Sequence, residues 1–352
     1  MKIIKFLFLI FPACLFAKTD IIFNLPDYFP DLISQTDIAE TFQERIDVNG
    51  DHLAEANMLG NLSSYAVATP SIGMLPHFAA GAGMTFGFSN MKYYDNKAVE
   101  GSFPAVGAAP FFLFAAGLSD RMDVLAKINY FDISAYNPDS ISRVSKYVKL
   151  EKLRIVGGGG RLRYRLTDKK VIIPLFLSLE GITVSCGGDV LRGRMKLTKD
   201  IDGNLGSFSI DPDGSGPAAA SALPLFYKGS LSGSLEWYQL DASVSAAAYF
   251  NIAGALNLYT GFGAALGYGS FTISAESDVA LSTNAIPIIN PTGILGSAMM
   301  DSDSKYHPYP FIPTYTIGAE FSVFLIKFSA ETLVNLKNKE DVTLSFAVRV
   351  QL

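Results

Sequence analysis

From Val342 to Leu352 the chain alternates strictly. Val342, Leu344, Phe346, Val348, Val350 and Leu352 share one parity, and Thr343, Ser345, Ala347, Arg349 and Gln351 share the other. A period of two is the mark of a strand with one apolar and one polar face. Phe328, Ala330, Thr332, Val334 and Leu336 repeat it just upstream, and Asn338 to Asp341 supply a tight turn between the two runs. The same alternation recurs over 122–130, 239–250 and 314–325. Each run is about ten residues, the length of a tilted strand crossing a bilayer. Inside lipid only a closed sheet satisfies every backbone donor and acceptor. The pattern therefore predicts an all-β transmembrane β-barrel over residues 77–352. Thirteen candidate segments can be marked: 77–90, 105–118, 121–133, 149–166, 171–185, 188–198, 223–237, 238–250, 252–264, 265–279, 308–323, 324–337 and 341–352. Bacterial barrels close with even numbers, so the expectation is 12–14 antiparallel strands.

Two uncharged runs, Gly101 to Ser119 and Ala242 to Ala275, are long enough to suggest membrane helices. Both are dense in Gly and small residues, which a helix tolerates poorly, and the first carries Pro104 and Pro110. They read as strands. Composition agrees: of 352 residues 49% are hydrophobic and only 17% charged, against about 25% charged in soluble domains. The net charge of −5 argues against a nucleic-acid partner. Met1 to Ala17 has Lys2 and Lys5 before the apolar run Phe6 to Phe11. That is the form of a secretory signal peptide over 1–17, with export to the outer membrane as its consequence. Cleavage after Ala17 and lipidation at Cys14 are both open. Cys186 reads as a small apolar wall residue.

Lys18 to Pro76 has no such alternation. It holds nine acids and two bases. Ile38, Phe42 and Ile46 recur at helical spacing, with Asp47-Val48-Asn49-Gly50 as a stop. A second short helix is expected from Asp51 to Leu59, stopped by Gly60. The segment is either a periplasmic extension or a plug folded into the barrel. Two features favour the plug. The first wall strand presents Ala79, Gly81, Gly83, Thr85 and Gly87 on one face, bare enough for close packing. Arg161, Arg163 and Arg165 share one parity opposite Leu162, Tyr164 and Leu166. Outward arginines at the membrane midplane would cost about 2–4 kcal/mol each, so this row should face the lumen and complement an acidic plug. Arg192, Arg194 and Lys196 form a similar row, and both rows are open to a second placement, on solvated strand ends above the membrane.

Apolar parity changes across Gly157, Gly158, Gly159 and Gly160, which suggests a bulge or kink in the wall. With its signal peptide, plug-like helical N-terminus and barrel of about 14 strands, the chain resembles the FadL-type long-chain fatty-acid transporters of the outer membrane, in a divergent, spirochaete-like form. The resemblance is architectural and spans the whole chain. It implies a lateral or plug-gated route for hydrophobic substrates, with a kinked wall strand opening it; Gly157–Gly160 is the candidate kink.

Chemistry along the chain is thin. His52, His77 and His307 show neither a nucleophile signature nor metal-ligand spacing, so neither an enzyme nor a cofactor is expected. Lys199 to Ser221 reads as a polar outer loop. Thr283 to Tyr309 reads as an apolar outer loop on which Ile288, Ile294 and Met299 would receive a hydrophobic substrate. The arginine row Arg161, Arg163 and Arg165 would hold its carboxylate. The expected function is uptake of long-chain fatty acids or similar hydrophobic molecules from the lipid-bounded exterior. The alternative is an adhesin or structural surface barrel whose long loops bind host or partner proteins.

Overall fold

The computed structural model describes residues 19–24, 52, 54–62, 65, 77–95, 98–133, 149–210, 221–283 and 294–352. The signal peptide, the helix expected around Ile38 to Ile46, and Ile288 lie outside the described residues. Thirteen strands form one antiparallel sheet. They are β1 (Thr19–Asn24), β2 (Phe78–Asp95), β3 (Ala98–Gly117), β4 (Met122–Asp132), β5 (Lys149–Arg165), β6 (Lys170–Ile173) and β7 (Leu177–Ile210). There follow β8 (Ser221–Ile252), β9 (Leu256–Thr283), β10 (Ile294–Tyr306), β11 (Phe311–Val323), β12 (Ile326–Asn335) and β13 (Val342–Gln351). A helix, α1, covers residues 54–62.

Ten of the thirteen strands close a ring: β2 to β5, β7 to β9 and β11 to β13. The seam is β13 against β2, from Val342↔Phe88 to Gln351↔Ala79. Burial is inverted relative to a soluble protein. Thr85, Asn129, Glu320 and Arg349 are buried on the inner face, while Phe112, Phe262, Phe328 and Phe346 are exposed on the outer one. Only lipid on the outside makes that arrangement favourable, so the chain is an outer-membrane β-barrel. The first and last ring strands, β2 and β13, meet where Leu352 donates to the Phe78 carbonyl at 2.9 Å. The short turns at 118–121, 253–255 and 324–325 share that end, which is therefore the periplasmic one.

The strand count has a physical lesson. From Leu177 on, segment 171–185 continues with 188–198 in β7; 223–237 and 238–250 lie together in β8, and 252–264, from Leu256 on, continues with 265–279 in β9. These strands run for 34, 32 and 28 residues, about three times the span a bilayer needs. The wall continues out of the membrane as a tall blade. β10 pairs with β9 along it, and β1 pairs with β10 from Thr19↔Ser302 to Asn24↔Ser297.

Three expectations change here. Residues 199–210 are strand, paired with β8 as far as Ile210↔Ser221. Ile294 and Met299 lie in β10 instead of a loop, because the projecting edge of β9 offers them backbone partners. The Gly157–Gly160 run carries no β-bulge. Its pairing is regular from Asn129↔Gly157 to Ala126↔Gly160 on one side and from Gly157↔Leu191 to Gly160↔Gly188 on the other. The β5–β7 register shifts only between Leu150 and Lys152. Parity of hydrophobicity changes because Ile155 is buried on the inner face while Leu162 and Tyr164 meet lipid. The backbone itself stays in phase.

Candidate functional site: a helix seated in the lumen

The inner face is bare at Gly87 of β2 and Gly107 of β3, and α1 lies against it there. A Cβ at Gly87 would run into the Ala56 carbonyl, and one at Gly107 would stand 2.8 Å from the Asn57 Cα. From the helix side, a Cβ at Gly60 would come within 3.4 Å of the Gly87 nitrogen. Gly60 therefore does not end the helix, as its propensity suggested. It sits where helix backbone and wall backbone touch, a position that excludes side chains. The other side of α1 is apolar: Met58, Leu59 and Leu62 pack with Ala265, Ile312 and Leu333.

Charge fixes the helix at both ends. Lys127 Nζ donates to the Asn61 carbonyl at 2.5 Å and to Asn61 Oδ1 at 2.9 Å, and pairs with Asp189 at 3.1 Å. A cation at the last turn satisfies carbonyls that the helix leaves open. Asn61 Nδ2 donates to Asp241 at 2.9 Å, and the Tyr65 hydroxyl to Asp189 at 2.6 Å. Gly159 belongs to this cluster as space: a Cβ there would strike the Asp189 carboxylate. At the first turn His52 Nδ1 lies 2.9 Å from Ser89 Oγ, and Ser89 donates to Asp341 at 2.6 Å. The ligand atoms of His52, Glu55 and Asp341 all fall within 4.8 Å of one another, a grouping that spacing along the chain did not reveal.

Arg161, Arg163 and Arg165 face the lumen but do not converge. Arg163 is buried and holds Asp123 through two bonds, of 2.8 and 2.6 Å. Arg165 stands 3.9 Å from Asp168 near the periplasmic turns. Arg161 covers the Tyr65 ring at 4.4 Å and donates to Ser243 at 3.2 Å. Of the three, it is Arg161 that touches the described part of the plug segment, at Tyr65. Arg161 and Tyr65 border a cavity of about 60 Å³, together with Leu62, Leu125, Ser245 and Thr314. On its periplasmic side, Arg349 pairs with Glu320 at 2.7 Å and Tyr259 donates to Glu331 at 2.5 Å.

The outer face of the same wall is different. A lipid-facing groove of about 620 Å³ is lined by Leu162, Tyr164, Val184, Cys186, Val244 and Phe262. Cys186 is exposed there as a free thiol. Above the groove Arg192 and Arg194 are exposed on the outer face. Of the two placements open for that row, the structure takes the one outside the lumen.

Among solved structures, a FadL homologue of Pseudomonas aeruginosa aligns at 8% identity and a TM-score of 0.26, over 84% of this chain and 98% of that one. The Ralstonia pickettii toluene transporter TbuX aligns at 12% identity and a TM-score of 0.26, over 85% and 98%. Ail, the attachment invasion locus protein of Yersinia pestis, aligns at 11% identity and a TM-score of 0.23, over 78% and 98%. At these scores the fold rests on the chain's own strand pairing. No curated protein matches the sequence. A family profile described as Lsa36-like matches residues 35–350.

Proposed function

The chain belongs to the Lsa36-like family, and from its lumen we propose that it is an outer-membrane channel for hydrophobic small molecules, with long-chain fatty acids as the candidate substrate. In this reading residues 1–17 are an export signal, 18–76 a segment whose hatch is α1, with Thr19–Asn24 paired to β10 outside the ring, and 77–352 the barrel. The observation that carries it is α1 seated on glycine inside the ring, beside a cavity of about 60 Å³ that Leu62 and Tyr65 border. Benzene occupies a cavity of roughly 150 Å³, so the cavity beside α1 is too small for a substrate while α1 is in place. Its polar anchors are hydrogen bonds and ion pairs, which can be exchanged, and on the side of Gly87 and Gly107 its seat has no side chains to interlock. Displacing α1 with Tyr65 would uncover Arg161, which then becomes the cation available to a carboxylate.

The test is uptake of a fluorescent long-chain fatty acid into liposomes containing the refolded chain. Gly87→Leu puts a side chain where the Ala56 carbonyl lies and leaves the outer wall unchanged. It should raise uptake several-fold. Unchanged uptake in a variant that retains the β-sheet circular dichroism of the wild type would overturn the hatch.

A second reading has its own observation. The blade above the membrane carries a buried apolar set, Leu231, Leu235, Trp237, Phe271 and Ile273, so it is a built platform on which a surface adhesin could present loops. Protein binding that is indifferent to Gly87→Leu, with no uptake by either form, would favour it.

A further inference from the structure

The outward face of β5, β7 and β8 carries features that a channel does not require. Its apolar belt ends at Val156, Val190 and Leu240, each well exposed to lipid. Directly above, Arg154 pairs in register with Arg194, Lys152 with Lys196, and Arg192 with Tyr238. Like charges placed opposite each other across strands are destabilising. Carboxylates relieve part of this: Asp132 stands 3.6 Å from Arg154, Glu236 2.8 Å from Arg194 and Glu151 3.2 Å from Lys196. Arg192 and Lys152 have no carboxylate within ion-pair distance among the described residues. Each guanidinium also keeps further N–H groups beyond the one its carboxylate takes.

Below the basic cluster the wall is hollowed. Gly160 pairs with Gly188, and Gly188 with Ala242, so the outward face has almost no side chain there. This trough leads down to the groove at Leu162, Cys186, Val244 and Phe262. From Arg192 to Cys186 is six residues, about 20 Å of strand. At a tilt near 45° that descends about 14 Å, the depth of one leaflet of a ~30 Å hydrocarbon core. Charge and shape thus change at the heights where a lipid changes from headgroup to chain.

We propose that this face binds a phosphorylated lipid of the outer leaflet. Arg154, Arg192 and Arg194 take the phosphate, for which the guanidinium fork is suited. One acyl chain lies along the Gly160–Gly188–Ala242 trough and ends in the groove. Tyr238 sits at the interface, where aromatic side chains are favoured. The site depends on the barrel's place in the membrane and not on the channel reading, so either can fail alone.

The experiment is native mass spectrometry of the refolded chain in detergent, titrated with diphosphoryl lipid A, and separately with phosphatidylethanolamine and inorganic phosphate. Diphosphoryl lipid A should bind at one site and survive competition by millimolar inorganic phosphate. The R192Q/R194Q double variant should bind it at least tenfold more weakly. Gly160→Leu should weaken it as well by filling the trough, since a Cβ there meets nothing nearer than the Leu125 carbonyl at 3.7 Å. Equal binding by wild type and R192Q/R194Q, with the β-sheet circular dichroism retained in both, overturns the proposal. So does equal binding of phosphatidylethanolamine, which would show annular lipid only. Displacement by inorganic phosphate at matched concentration overturns the lipid in favour of a simple anion site.

Discussion

Two basic rows sit on neighbouring strands at the same spacing and meet opposite surroundings. On β5, Arg161, Arg163 and Arg165 point into the lumen, and the Arg163 side chain is 4% exposed. On β7, Arg192, Arg194 and Lys196 lie on the outer face, and the Arg194 side chain is 53% exposed. The alternation is identical. What differs is height on the barrel. The first row lies level with the apolar belt, where an outward arginine costs about 2–4 kcal/mol, and the second lies beyond it, where the cost falls to about 0–1 kcal/mol. Parity separates the two faces of a strand; depth in the membrane decides which face can be charged.

The sharpest way to break this contrast is to strand an inner arginine. Asp123→Ala leaves Arg163 buried without its carboxylate and should cost about 3–5 kcal/mol, read as a lower urea midpoint for unfolding from detergent. Replacing both by leucine should recover much of that loss, because an apolar pair needs no desolvation. Lys127→Met comes next. It removes the cation between α1 and Asp189 and should expose residues 18–76 to protease while the barrel persists; a digestion pattern equal to the wild type would count against Lys127 as an anchor. Tyr65→Phe removes one bond to a carboxylate, worth about 1.5–3 kcal/mol, and should loosen the same segment less. The outer row gives the smallest effect. Arg194→Gln in lipid-free detergent should shift stability by no more than about 1 kcal/mol, as for other exposed pairs. A larger loss there would place the outer row among structural elements.

Much of the wall was legible, for a plain reason. Lipid outside and polar groups inside impose period two on the wall, and the seam β12–β13–β2 follows it apart from Leu333, which turns inward to pack on α1. Strand length was not legible. Bilayer thickness suggests a break about every ten residues, and β7, β8 and β9 ignore it because their upper halves bury a separate apolar set around Trp237 and Phe271. Gly157–Gly160 misled for a related reason. A glycine run signals a bulge only when its own backbone is considered; here Gly159 clears the Asp189 carboxylate and Gly160 helps to hollow the outer face. The anchors were the least readable. Lys127, Asp189 and Asp241 each occupy an ordinary polar position on a strand, and only ring closure brings them to Asn61 and Tyr65.

The glycine floor has a consequence for how the molecule is assembled. α1 precedes β2 in the chain and rests on β2 and β3, whereas the ring closes only when β13 reaches β2. The helix can therefore be in place before there is an interior to enter. Pairing of β13 with β2 can then seal a vessel that is already loaded, with no step needed to thread the helix through a finished wall.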